Sequence, residues 1–177
     1  MKQPSNARAR QHGFTLIAAL MILIVITIIG LAMMRSVGLQ GRMAGNFREK
    51  GRAFEAAQAT VDYAEWWLSQ PGNGSQTPIN CTSAQTTLQL CSNALTNPTN
   101  MQSWTGSGNS SYAYALPIGN NTFNHSPQLY IQYLGLNSTN NGALYQITAL
   151  GYGGNANAIV VLQSTYTLYS GVKNLGK

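Results

Sequence analysis

The sequence predicts an α+β chain in which one long N-terminal helix packs on a four-stranded antiparallel β-sheet. Three observations carry that expectation. Phe14 to Met34 is an uncharged run dominated by Ile, Leu, Val and Met. At roughly 1.5 Å per helical residue it is long enough to cross a bilayer core of about 30 Å. Further on, Phe54, Ala57, Val61, Ala64 and Leu68 recur at three- and four-residue spacing, which lines them up on one face of an amphipathic helix. After Ser111 the periodicity changes to two. Tyr112–Ile118, Leu129–Leu134, Leu144–Gly151 and Ala158–Tyr169 read as strands, rich in Tyr, Ile, Val, Leu and Thr and separated by Gly and Asn clusters. Hairpins follow from Asn140-Asn141-Gly142 and from the Gly151–Asn157 stretch.

The elements follow in order. Residues 1–13, MKQPSNARARQHG, form a short basic tail that reads as a leader. A secretory signal peptide is the alternative, but it calls for an apolar stretch of about 7 to 15 residues and a small-x-small cleavage site. Gly30-Leu31-Ala32 offers only a weak match, and the run is too long. Residues 14–35 therefore read as a membrane-spanning helix that is kept. Its hydroxyl residues, Thr15 and Thr27, can bond back to the preceding turn. Charge does not orient it, because Arg35 and Arg42 flank the far end much as Arg8 and Arg10 flank the near one. A small basic tail inside and a large cysteine-bearing domain outside is the simpler arrangement.

Residues 36–70 read as the amphipathic continuation of the helix, with Glu49, Arg52, Glu55, Asp62 and Glu65 on its wet side and Pro71-Gly72 as its stop. Arg42, Arg48, Lys50 and Arg52 form a basic collar of the kind that faces solvent or lipid headgroups. The collar has no aromatic interleaving beyond Phe47 and Phe54, which argues against nucleic acid as a partner. Of Trp66 and Trp67, helical geometry lets only one face the core.

Residues 71–111 form a long polar loop with Cys81 and Cys91, within which Thr82 to Leu90 is a candidate short helix. An even pair of cysteines beyond the membrane segment suggests a disulfide, with free thiols as the alternative. Nine intervening residues and no nearby His do not fit a zinc site. Residues 112–177 hold the sheet. No charged residue occurs between Glu65 and Lys173, so the net charge of +6 belongs to the two ends of the chain, and removal of the leader would halve it. This neutral surface suits close contact with like neighbours, or simple export.

The sequence holds no catalytic constellation. The sheet region has one histidine, His125, in a turn, and no carboxylate to pair with it. Gly151-Tyr152-Gly153-Gly154 links strands and lacks the lysine of a phosphate loop. No enzyme, metal or cofactor is expected.

Gly13-Phe14-Thr15-Leu16-Ile17 resembles the type III signal of type IV prepilins. Leu39-Gln40-Gly41-Arg42-Met43-Ala44-Gly45-Asn46 and Ala53-Phe54-Glu55-Ala56-Ala57-Gln58-Ala59 look like the N-terminal region of PilX-type minor pilins. Tyr145-Gln146-Ile147-Thr148 and Ala158-Ile159-Val160-Val161-Leu162-Gln163-Ser164 resemble the closing strands of the same family. The resemblance implies a type IV pilin fold, cleavage after Gly13 by prepilin peptidase, and a retained helix beginning at an N-methylated Phe14. Its expected partners are other minor pilins, the major pilin and the inner-membrane assembly platform. The implied location is the bacterial inner membrane, single-pass with a periplasmic domain, and later the extracellular pilus, with roles in assembly, twitching motility and adhesion. A type II secretion pseudopilin, or a pilus-borne DNA receptor or adhesin, is the alternative.

The chain departs from the family at Ala18, where most pilins carry a glutamate. A carboxylate in the bilayer costs about 2.5 to 3.5 kcal/mol on insertion scales and is kept for a partner, there the amine of a neighbouring subunit. Ala18 suits a priming or tip-proximal subunit, or one whose amine bonds elsewhere. Gly30, Gly38, Gly41, Gly45 and Gly51 each cost roughly 1 kcal/mol of helix stability relative to alanine. They imply a helix poised to bend or melt between lipid and filament, or ordinary flexibility beside the membrane.

Overall fold

The computed structural model describes residues 14–100, 104, 110–116 and 123–169. Its elements are α1 (Phe14–Ser69), β1 (Leu90–Cys91), β2 (Tyr112–Ala113), β3 (Gln128–Leu136), β4 (Gly142–Tyr152) and β5 (Ile159–Tyr169). The chain divides into two compact units, one ending at Gly45 and one starting at Asn46.

The described part of the first unit is helix alone. Its Ile, Leu, Met and Val side chains are exposed throughout, and nothing in the apolar window is buried within the protein. Thr27 returns its hydroxyl to the Ile24 carbonyl at 2.8 Å, so the one polar group of this stretch with a described bond is satisfied inside the helix.

In the second unit, α1 ends at Ser69, just before Pro71, and Gly72 takes a positive φ of 89°. Ser69 Oγ and Gln70 Nε2 donate to the Trp66 carbonyl, and Asn73 Nδ2 donates to that of Trp67, supplying donors that the helix end lacks. The buried stripe is Ala53, Ala56, Ala57, Thr60, Val61, Ala64 and Leu68. It is narrower and smaller than the spacing suggested. Phe54 is 46% exposed, because four small residues, Ala53, Ala56, Ala57 and Thr60, hold the central positions and bring backbone to backbone.

The sheet is mixed and five-stranded, ordered β1-β3-β4-β5, with β2 also pairing with β3. The expected four antiparallel strands need two corrections. First, the candidate helix at Thr82–Leu90 does not form. Leu88 and Leu90 alternate into the core, and β1 pairs parallel with β3, Leu90 opposite Ile131. The threonines and serine of this stretch are poor helix formers, and the stretch is closed at both ends by a disulfide. Second, the Tyr112–Ile118 strand shortens to Tyr112–Ala113 among the described residues. Along β3 it pairs with Gln128 and Leu129, and Tyr112 also bridges Gln85; beyond them Pro127 accepts from the Tyr114 N–H but has no N–H to return. The antiparallel pairs β3–β4 and β4–β5 form as expected. β4–β5 pairs all eleven residues, from Gly142 opposite Tyr169 to Tyr152 opposite Ile159.

Two apolar layers cover the sheet. On the helix side, Leu129, Ile131, Tyr145, Ile147 and Ala149 meet Val61, Ala64 and Leu68. On the other side, Tyr130, Leu150 and Tyr152 meet Trp104 and the two cysteines. Trp67 packs against the helix-side core while Trp66 is 56% exposed, the division that helical geometry requires.

Candidate functional site

Three features are candidates for function: the N-terminal helix, the contacts that fix its second half to the sheet, and the disulfide loop. Gly13, the expected cleavage residue, lies outside the described residues. Phe14 opens α1 with its ring exposed, and Ala18 lies one helical turn further on. No carboxylate occurs in α1 before Glu49. The structure brings Phe14 and Ala18 together on the bare apolar stretch and leaves the cysteines in the second unit.

The helix-to-sheet contact is centred on glycines that sequence reasoning had set aside as a failed phosphate loop. A Cβ on Gly151 would lie 2.5 Å from the Ala57 nitrogen and closer still to the Ala53 carbonyl oxygen. β4 therefore touches the helix backbone directly, opposite the alanines. At Gly153 a Cβ would meet the Glu49 carbonyl oxygen at 2.5 Å. Glu49 accepts a short hydrogen bond from the Gly154 N–H through Oε2 and pairs through Oε1 with Arg52 at 3.3 Å. Lys50 donates to the Ile159 carbonyl at 2.7 Å, and the Arg52 guanidinium lies 6.0 Å from the Phe123 ring centroid. Half of the expected basic collar is thus occupied in clamping the β4–β5 turn, while Arg42 and Arg48 are exposed. A run of Gly opposite a run of Ala on the helix was the signal available in the sequence, but only the register joins them.

Cys81 and Cys91 are bonded, with Cα atoms 5.4 Å apart. The ring they close is packed rather than loose. Asn93 brackets Cys81, accepting from its N–H at 2.8 Å and donating to its carbonyl at 3.0 Å. Gln85 Nε2 reaches into the ring, donating to the Ser110 carbonyl at 2.7 Å and lying 3.3 Å from Cys91 Sγ. Tyr130, from β3, donates to the Asn93 carbonyl at 2.8 Å. Burial pushes its phenol up to about 12, partly offset by a hydrogen bond with Ser110. Burial also raises Tyr145 and Tyr152. His125 stands edge-on to Tyr152, with centroids 5.2 Å apart. Among the described residues, no three His, Cys, Asp or Glu side chains gather as metal ligands would.

Residues 12–62 match the family model described as PilX N-terminal, and residues 87–168 match the model described as type IV pilus assembly protein PilX C-term. The chain belongs to the PilX family. The first match spans the Gly13–Phe14 boundary, the Arg42-Met43-Ala44-Gly45-Asn46 stretch and the helix residues that clamp the turn. The second runs from just before β1 almost to the end of β5. No curated protein and no solved structure gives a significant match. PilX is a family of structural pilins, not of enzymes, and membership supports a minor pilin role in the type IV pilus. The exposed apolar half of α1 fits a single-pass membrane anchor in such a protein.

Proposed function

We propose that this PilX-family chain is made as an inner-membrane prepilin with its second unit in the periplasm. Prepilin peptidase cuts it after Gly13, Phe14 becomes the N-methylated terminus, and the subunit enters the pilus in a priming or tip-proximal position. Its partners are the major pilin, other minor pilins and the assembly platform, and surface pili, twitching motility and adhesion depend on it through assembly.

The observation that carries this reading is the bare first half of α1. A helix of Ile, Leu, Met and Val with no side chain buried in its own protein needs another apolar environment. Lipid provides one before assembly, and the packed helices of a filament provide the other. Ala18 supports the tip-proximal position, because a subunit with nothing above it has no need for the intramembrane carboxylate that binds a neighbour's amine. Mass spectrometry of the mature protein tests the processing step. The expected chain starts at methylated Phe14, and a chain starting at Met1 or after Ala32 overturns it. Deletion of the gene tests the assembly role: loss of surface pili is expected, and normal pili with lost uptake or adhesion would refute it.

A further inference from the structure

We propose that the end of α1 and the facing sheet form a binding site for a short neutral oligosaccharide. A cavity of about 580 Å³ opens between the Leu68–Pro78 segment and the ends of β3, β4 and β5. That volume lies in the range of small-molecule sites. Its wall combines three tyrosines, Tyr133, Tyr145 and Tyr169, with the side-chain amides of Gln70 and Gln76.

The chemistry of the wall selects the ligand. Among its described residues there is no Asp, Glu, Lys, Arg or His. A charged ligand would lose hydration on entering without meeting a counter-charge among these residues. Gln70 Nε2 already donates to the Trp66 carbonyl and Gln76 Nε2 to Asn73 Oδ1, and a purely apolar ligand would cover the second N–H of each amide without pairing it. A saccharide satisfies both kinds of surface. Its C–H faces lie on the Tyr133 and Tyr169 rings, Tyr145 being fully buried behind them, and the second N–H of each Gln amide donates to its oxygens.

The site is held in shape before any ligand arrives. The Tyr145 hydroxyl donates to the Gly74 carbonyl, tying the loop to β4, and the Tyr133 and Tyr145 rings lie 5.7 Å apart. Tyr169, 48% exposed at the end of β5, is the ring most open to a ligand. This inference does not depend on the assembly role, since the cavity lies wholly in the second unit.

The test uses the full chain in detergent micelles, titrated separately with chitotriose, cellotriose and maltotriose, with spermidine and inorganic phosphate as charged comparisons. Binding is followed by calorimetry and by NMR of labelled tyrosine. Saturable binding of at least one trisaccharide, with shifts at Tyr133, Tyr145 or Tyr169 and none on adding the charged probes, is the expected result. Tyr169→Ala should weaken that binding about tenfold or more, while Tyr114→Ala, away from the cavity, should leave it unchanged. Absence of saturation by all three sugars overturns the proposal, as does binding that survives Tyr169→Ala or is matched by spermidine or phosphate. Tyr169→Phe separates ring from hydroxyl: retained binding is expected, and loss equal to that of Tyr169→Ala refutes the stacking role.

Discussion

Replacing Gly151 with alanine should destabilise the second unit, although alanine is the better strand residue. Glycine in a strand interior ordinarily weakens the strand, so the change would be neutral or favourable if only β4 mattered. Here the added methyl would lie 2.5 Å from the Ala57 nitrogen and 3.0 Å from the Ala57 Cβ, and closest of all to the Ala53 carbonyl oxygen. All three atoms belong to backbone or to a methyl fixed on it, so no side chain can rotate away. The strand must move off the helix across the buried Ala53–Thr60 stripe. Overpacking of this kind costs about 1 to 3 kcal/mol, and the upper end applies where both partners are backbone. For a domain of this size that is a fall in Tm of roughly 10 °C. Calorimetry or near-UV circular dichroism of the full chain in detergent measures it. Gly135→Ala is the comparison, with nothing within 4 Å of the added methyl and only its φ of 108° to strain. A fall of less than about 2 °C for Gly151→Ala, or one no larger than for Gly135→Ala, would refute direct backbone contact.

Glu49→Ala removes the acceptor for the Gly154 N–H and the partner of Arg52, and should cost about 1 to 2 kcal/mol. Hydrogen exchange should show a matching loss of protection at Gly154, with β3 amides unaffected. Reducing the Cys81–Cys91 bond, whose cysteines are 10 residues apart, should cost about 3 kcal/mol and lower Tm in a titration with reductant. Alkali should unfold the second unit before its exposed tyrosines alone would require. Tyr130 has a folded value of about 12, against about 10 unfolded, so the native state keeps a proton that the unfolded chain releases. Its contribution is complete below pH of about 10 and is lost as pH rises through about 12, amounting to about 3 kcal/mol. Absorbance of phenolate, recorded alongside unfolding from about pH 9 upward, should show Tyr130 ionising only with the transition.

The long elements were legible because each carries a repeated pattern. The uncharged run beginning at Phe14 fixes a helix by length and composition, and β-branched and aromatic composition between Gly and Asn clusters fixes β4 and β5 to within two residues at each end. β1 was not, because two residues carry no period, and β2 was legible as a strand but not as one of only two residues. They exist because tertiary partners hold them, Leu90 against Ile131 and Tyr112 against Leu129. Phe54 was misplaced for a related reason: its size suggested the core, but contact with Gly151 requires small residues, and no local rule says that a strand glycine will sit opposite them. Trp104, fully buried, with its indole donating to the Pro98 carbonyl at 2.6 Å, lies in a stretch whose composition reads only as loop. The disulfide was legible as a pair, but not the Asn93, Gln85 and Tyr130 contacts that make its ring part of the core.

The glycines of α1 behave differently from Gly151. Gly30, Gly38, Gly41, Gly45 and Gly51 have open space where a Cβ would be, so no close contact in this structure requires them. Each costs roughly 1 kcal/mol of helix stability relative to alanine, a cost that no packing here offsets. From Glu49 onward the helix is fixed to the β4–β5 turn by Glu49, Lys50 and the Ala53–Ala57 contact, and a bend there would break all of them. Among the described residues, the helix before Glu49 has no such tie, and four of the five glycines lie there. The glycine-rich segment thus ends where the clamp begins, so a bend in it would leave the Glu49, Lys50 and Ala53–Ala57 contacts with the sheet in place. Replacing Gly38, Gly41 and Gly45 together with alanine should therefore leave Tm of the second unit unchanged while reducing surface pili. A loss of Tm with normal piliation would show that these glycines serve the folded domain instead.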